Sequence, residues 1–144
     1  MNGRLLNKKL HNQLGFTLLE LLVVIAVIGV LASLAVPRLQ TQIQRARFVE
    51  VVNATSPYKT AVESCLQVQG VLGNCNAATN GIPANAAASN NVASVVVVNG
   101  VITATSQNQA GVFTYTLTPA IVAAGAANGV TWVVGGTCQA QGIC

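Results

Sequence analysis

The chain has 144 residues, which is enough for one modest domain but not for two. Its formal net charge is +4, yet all ten charged side chains lie at or before Glu63, so residues 64–144 contain no Asp, Glu, Lys, Arg or His. Acid–base and nucleophilic catalysis need side chains that can be tuned near working pH, so this composition excludes most enzyme classes. It also argues against nucleic-acid binding, which needs clustered cations.

The first fifteen residues form a basic peptide that ends in Gly15. It contains three of the seven cations and no acid. Residues 16–36 follow, and 17 of these 21 are Phe, Leu, Val, Ile or Ala. As a helix they would extend roughly 31 Å, enough to span a bilayer. The positive-inside rule then keeps residues 1–15 in the cytoplasm and the C-terminal part outside.

Glu20 is the one charged residue inside this apolar segment. A carboxylate there costs on the order of 2.5 to 3.5 kcal/mol and needs a partner. Cleavage before Phe16 would create an α-amino group close to it. Two other interpretations stay open: a secretory signal peptide cut after Ala35, and an uncut single-span protein with Glu20 at the membrane surface.

These residues resemble the N-terminus of the type IV prepilin family. The resemblance implies that a prepilin peptidase cuts between Gly15 and Phe16 and methylates Phe16, and that Glu20 acts in assembly. Gly29 and Pro37 match positions where pilin helices loosen in filaments. The implied parts are a leader (1–15), a transmembrane or filament-core helix and stalk (16–47), and a globular head (48–144).

Apolar residues continue at spacings of three and four after the span, which predicts one helix over 16–69 closed by Gly70. Pro37 and Pro57 predict kinks, and a true break after Ser56 is the alternative at Pro57. Three arginines follow the span: Arg38, Arg45 and Arg47. We expect them to form a solvated or headgroup-facing surface, and the alternative is that they pair with Glu50 or with backbone carbonyls of a neighbouring subunit.

Four cysteines in an exported head favour two disulfides, for which three pairings exist. Proximity in sequence favours Cys65 with Cys75 and Cys138 with Cys144. The second ring resembles the C-terminal disulfide loop of type IVa pilins.

The remaining sequence predicts an antiparallel four-stranded meander. A loop over 71–91 precedes the strands, which we expect at 92–98, 101–105, 111–118 and 130–134, with Asn99-Gly100 as a type I′ turn and Pro119 ending the third. The apolar face should cover the helix around Phe48, Tyr58 and Val62. Phe113, Tyr115 and Trp132 are interpreted as packing residues, with a sugar-stacking platform as the alternative.

The fold implied by the resemblance is α+β, with a long N-terminal helix packed on this sheet. The implied function is that of a type IVa major pilin, polymerising into an extracellular pilus for adhesion, twitching motility or DNA uptake. A minor pilin or a type II secretion pseudopilin is the alternative.

The expected partners are other pilin subunits, the prepilin peptidase, the inner-membrane assembly platform and, before assembly, the membrane with the head in the periplasm. A glycan or surface ligand stays open. We expect no catalytic residue, metal or cofactor.

Overall fold

A computed structural model describes residues 15–121 and 129–144, and the chain forms two compact units, Met1–Pro37 and Arg38–Cys144. Helix α1 comprises Leu18–Ala54, so its first part belongs to the first unit and its last part to the second. Helix α2 follows directly, over Ser56–Gln69. Most of the expected leader lies outside the described residues.

The helix predicted over 16–69 is interrupted by a single residue, Thr55, two residues before Pro57, where the sequence predicts a kink. The Thr55 N–H donates to the Val52 carbonyl only three residues back, at 3.1 Å, and the Thr55 hydroxyl donates to the same oxygen at 2.7 Å. Pro57 lacks the N–H that would continue the helical ladder, but it is tolerated in the first turn of α2, where that donor is not needed. The interruption therefore follows from proline chemistry.

Helix α2 ends as predicted. Gly70 has a φ of +71°, and its N–H donates to the Leu66 carbonyl at 2.8 Å. This left-handed conformation favours glycine because it has no Cβ. A short 3-10 turn, Leu72–Asn74, then leads to Cys75.

The sheet is the predicted meander, with strands in the order β1-β2-β3-β4 and every pair antiparallel. The strands are β1 (Val92–Val98), β2 (Val101–Ser106), β3 (Thr114–Ile121) and β4 (Val130–Gly135), and a short helix α3 covers Thr137–Ala140. Asn99 and Gly100 have φ values of +49° and +78°, as a type I′ turn requires.

Strand β3 is displaced from its predicted range of 111–118, because Pro119 lies inside it and does not end it. The Phe113 carbonyl accepts the Ser106 N–H at 2.8 Å, so odd-numbered residues of this segment direct their backbone groups toward β2. Pairing with β2 extends only as far as Ile102 opposite Leu117. Pro119 therefore points its nitrogen past the end of β2, where no ladder hydrogen bond is lost.

The loop over 71–91 covers the outer edge of β1. The Ala77 N–H donates to the Val97 carbonyl at 3.1 Å, and the Ala86 N–H donates to the Val95 carbonyl at 3.0 Å. These bonds satisfy backbone groups that an edge strand would otherwise leave open.

The core of the second unit lies between the helices and one face of the sheet. Phe48 is buried and meets Phe113 and Tyr115 edge to face, with ring centroids 6.4 and 6.3 Å apart. Burial raises the pKa of the Tyr115 phenol. Phe48, Tyr58 and Val62 occupy the predicted interface, and Phe113 and Tyr115 are packing residues as interpreted.

Candidate functional site

The first feature of functional interest is the apolar surface of α1. Every side chain from Gly15 to Gln40 is exposed, and Phe16 is 86% exposed. By length and composition, the helical stretch Leu18–Gln69 includes a segment that is apolar enough to cross a membrane. An exposed apolar surface of this size indicates a membrane or a protein partner.

Glu20 closes the N-terminus of α1 through a capping box. Its Oε2 accepts the Thr17 N–H and the Thr17 hydroxyl, each at 2.9 Å, while the Glu20 N–H donates to Thr17 Oγ1 at 3.2 Å. Thr17 and Glu20 occupy the N-cap and N3 positions that such a box requires. The carboxylate therefore has hydrogen-bond donors within its own chain.

Sequence reasoning missed this cap, although its signal was readable. Thr17-Leu18-Leu19-Glu20 has the T-x-x-E spacing of a capping box directly before an apolar run.

Gly29 and Pro37 both lie inside α1, which is helical throughout this interval. A Cβ added to Gly29 would meet no atom within 4 Å, so packing within the described chain does not require glycine there. The predicted loosening concerns the assembled state, and it stays a prediction.

The two acids of the second unit accept hydrogen bonds from neutral donors. Glu50 Oε2 accepts from Asn91 Nδ2 at 2.7 Å, and Glu63 Oε1 accepts from the Trp132 indole N–H at 2.7 Å. Because Glu63 lies on α2 and Trp132 on β4, the second bond fastens the last strand of the sheet to the helix.

Lys59 makes Trp132 a poor sugar-stacking platform. Its Nζ lies 5.8 Å from the centroid of the Trp132 ring, within the range of a cation–π interaction. The indole is also partly buried against the core. Trp132 is thus primarily a packing residue, in agreement with the first interpretation.

Replacing Trp132 by Phe is expected to destabilise the head by about 1.5 to 3 kcal/mol, since the hydrogen bond to a charged acceptor is lost. Urea unfolding of the single variants Trp132→Phe and Glu63→Ala and of the double variant would measure the coupling. A coupling energy near zero in this cycle would contradict the assigned bond.

The arginines after the span have different surroundings. Arg45 Nη2 would lie 3.6 Å from a Cβ added to Gly142, so this guanidinium lies beside the C-terminal ring. Arg47 Nε is buried without a hydrogen-bond partner among the described residues. Neither the headgroup-facing surface nor the pairing with another subunit is tested by a single chain, and both stay predictions.

Two disulfides join the pairs that sequence proximity favoured. Cys65 is bonded to Cys75 and Cys138 to Cys144, with Cα atoms 5.9 and 5.3 Å apart. The first ring ties α2 to the loop that covers β1. The second encloses the buried Ile143.

Comparison with known families agrees with this arrangement. Residues 10–36 match the prokaryotic N-terminal methylation motif, and residues 44–142 match the family described as pilin (bacterial filament). The chain belongs to the type IV pilin family. Pilins of this family are structural proteins of bacterial filaments.

Named relatives support the assignment to the pilins. The type IV pilus subunit protein TapA of Aeromonas hydrophila is 45% identical over 80 residues, which make up 56% of each chain. Prepilin peptidase-dependent protein D of Escherichia coli (strain K12) is 34% identical over 110 residues, covering 76% of this pilin and 75% of the relative. The matched region thus spans about half of the first relative and three quarters of the second.

A solved structure supports the pilin fold. The solution NMR structure of the major type IV pilin PpdD from enterohemorrhagic Escherichia coli is 27% identical, with a TM-score of 0.50. The match covers 63% of this chain and 68% of PpdD. The long N-terminal helix, the four-stranded antiparallel sheet and the C-terminal disulfide therefore form a type IV pilin fold.

Proposed function

We propose that this pilin is the structural subunit of a type IV pilus and polymerises through its N-terminal helix into an extracellular filament. The observation that carries the proposal is the combination on one chain of a methylation motif, an exposed apolar helix and a pilin head. The exposed helix has the surface that a filament core needs, and the head, which has no charged residue after Glu63, allows close approach with little charge repulsion.

Processing would precede assembly. A prepilin peptidase cuts between Gly15 and Phe16 and methylates Phe16, which removes the leader (1–15). The segment 16–47 then spans the inner membrane as anchor and later forms the filament core, while the head (48–144) lies in the periplasm. An inner-membrane assembly platform extracts the subunit. The methylation motif and the apolar helix support this order.

Glu20 would guide assembly by exchanging partners. In the single chain, its carboxylate is capped by Thr17, which lowers the cost of holding it in an apolar surrounding. During assembly, the methylated amino group of Phe16 on a neighbouring subunit offers a positive charge, which the neutral cap does not. The attraction aligns the two helices, and packing of their apolar surfaces then fixes the contact.

We also expect α1 to lose helical structure between Gly29 and Pro37 in the filament. Glycine weakens a helix by about 1 kcal/mol relative to alanine, and Pro37 removes a ladder donor, so this interval is the weakest part of the span. A filament reconstruction should show extended backbone there. Continuous helix through this interval in the assembled subunit would refute the expectation.

Deletion and complementation would test the proposed function. A strain that carries this chain as its sole pilin should produce sheared filaments in which the chain is the dominant band, and deletion should abolish them. Filaments that persist after deletion, with this chain as a trace band in the parent, would instead indicate the minor pilin or the type II secretion pseudopilin.

A further inference from the structure

The outer face of the sheet, turned away from the helices, carries an array of threonines. Residues of β2 and β3 alternate between the buried core and this face, and Ile102, Ala104, Tyr115 and Leu117 take the core positions. The opposite positions also include Val101, Ala120, Val133 and Gly135, and their six threonines form what we call the threonine face: Thr103 and Thr105 on β2, Thr114, Thr116 and Thr118 on β3, and Thr131 on β4.

The register makes this array regular. Thr103 lies opposite Thr116, and Thr105 lies opposite Thr114. Neighbouring strands are about 4.8 Å apart, and alternate residues along a strand are about 6.7 Å apart. Threonine is β-branched, so its side chain has few rotamers in a strand. The hydroxyl groups are therefore held in a repeating two-dimensional pattern at low entropic cost.

Four of these hydroxyls are available for a ligand. Across residues 15–121 and 129–144, no hydrogen bond to the protein engages Oγ1 of Thr103, Thr105, Thr116 or Thr118, whereas the hydroxyls of Thr114 and Thr131 are bonded to Thr137 and to the Ala120 carbonyl. Gly135 lies opposite Thr116, and a Cβ there would come within 2.8 Å of the Thr116 hydroxyl. Glycine at this position leaves that hydroxyl uncovered.

The lack of charged residues on these strands indicates which class of ligand the face can bind. Its strands come from the part of the sequence that has no Asp, Glu, Lys, Arg or His, so an ionic ligand would find no counter-charge. Each hydroxyl can donate and accept hydrogen bonds, which complements another neutral hydroxylated surface. Three strands of about five residues present roughly 250 Å², well below the ~800 Å² that each partner buries in a stable protein dimer. A flat, neutral sugar chain suits this area better than a second copy.

We propose that the threonine face binds neutral, extended β-linked polysaccharide of the cellulose type. A flat ribbon of sugar rings can lie along the sheet and exchange hydrogen bonds with the free threonine hydroxyls, whereas a coiled α-glucan would present a curved surface. A single patch of this size binds weakly. The proposal relies on the proposed filament only for avidity, because a polymer repeats the patch many times and turns weak contacts into firm attachment.

Adhesion to cellulose tests the proposal without relying on polymerisation. Full-length protein in detergent micelles would be coupled densely to fluorescent beads, and the fraction retained on a washed microcrystalline cellulose film would be measured. The triple variant Thr103→Val, Thr116→Val, Thr118→Val removes three hydroxyls and keeps β-branched side chains. Retention should fall roughly tenfold or more. Gly135→Ala should also reduce it by crowding the Thr116 hydroxyl.

Matched variants control for the fold. The triple Thr→Ser variant keeps the hydroxyls and should retain binding, and Thr60→Val makes the same chemical change on α2 and should have no effect. Unfolding curves would verify that each variant is folded. Equal retention of wild type and triple valine variant, or equal adhesion to starch, would overturn the proposal.

Sheared filaments would be pelleted with cellulose in a second arm. Co-sedimentation that the triple valine variant loses supports a filament-surface role. Beads that bind while filaments do not would show that neighbouring subunits cover the face, which would overturn that role. Absence of filaments, with bead adhesion intact, would refute the proposed pilus function and leave the polysaccharide site standing.

Discussion

Replacing Glu20 by Gln is expected to leave processing intact and to abolish filaments. Gln at the N3 position still accepts a hydrogen bond from the Thr17 N–H, so the helix cap persists. The negative charge is lost, and the methylated amino group of the neighbouring Phe16 then has no counter-charge in the apolar core. Breaking such a buried pair costs about 3 to 5 kcal/mol, or more than about a hundredfold for each contact.

The matched control removes the cap and keeps the charge. Thr17→Val deletes the hydroxyl that bonds Glu20 and should cost about 1 kcal/mol of helix stability, so filaments should be fewer but present. Immunoblots of the sheared and membrane fractions, in strains expressing only one variant, would measure both effects. Wild-type filament yield from Glu20→Gln would show that its charge is not needed.

Removal of the Cys65–Cys75 disulfide is expected to have the largest effect on the head. The ten-residue separation corresponds to about 2 to 3 kcal/mol in the chain-entropy model. Both sulfurs are buried, and the Cys75 carbonyl accepts the Gly100 N–H at 2.8 Å, so this ring also positions the turn between β1 and β2. Urea unfolding of full-length Cys65→Ala, Cys75→Ala in detergent would measure the loss.

The second ring provides the comparison. Cys138→Ala, Cys144→Ala opens a separation of six residues, and it should cost slightly less, about 2 kcal/mol, because the closed loop is shorter. Loss of stability in the C-terminal variant alone, with the Cys65–Cys75 variant unchanged, would contradict the role given to the first ring.

Local chemistry explains which parts of the fold could be predicted. Asn99-Gly100, Gly70 and the alternation of the strands each determine backbone conformation within a few residues, so the turn, the helix end and the meander were predicted correctly. The residue at which the helix is interrupted and the extent of β3 were not. A proline is tolerated where no neighbouring carbonyl needs the N–H that it lacks. For Pro57 this depends on its position within the helix, and for Pro119 it depends on the pairing of β3 with β2.

The contacts of the charged residues could be predicted from the sequence only where they are local. Glu63 and Trp132 are 69 residues apart, so their hydrogen bond follows from the packing of β4 on α2 and leaves no local signal. The cap formed by Thr17 and Glu20 is local and could have been recognised. The unusual position of Glu20 in an apolar segment was visible in the sequence alone.

Mass spectrometry of sheared filaments tests the central claim most directly. We expect the filament subunit to begin at Phe16, its amino group to be methylated, and Cys65–Cys75 and Cys138–Cys144 both to be oxidised. A mature chain beginning at Val36 would contradict this because it lacks Glu20, and an intact chain beginning at Met1 would contradict it because no amino group would lie close to Glu20.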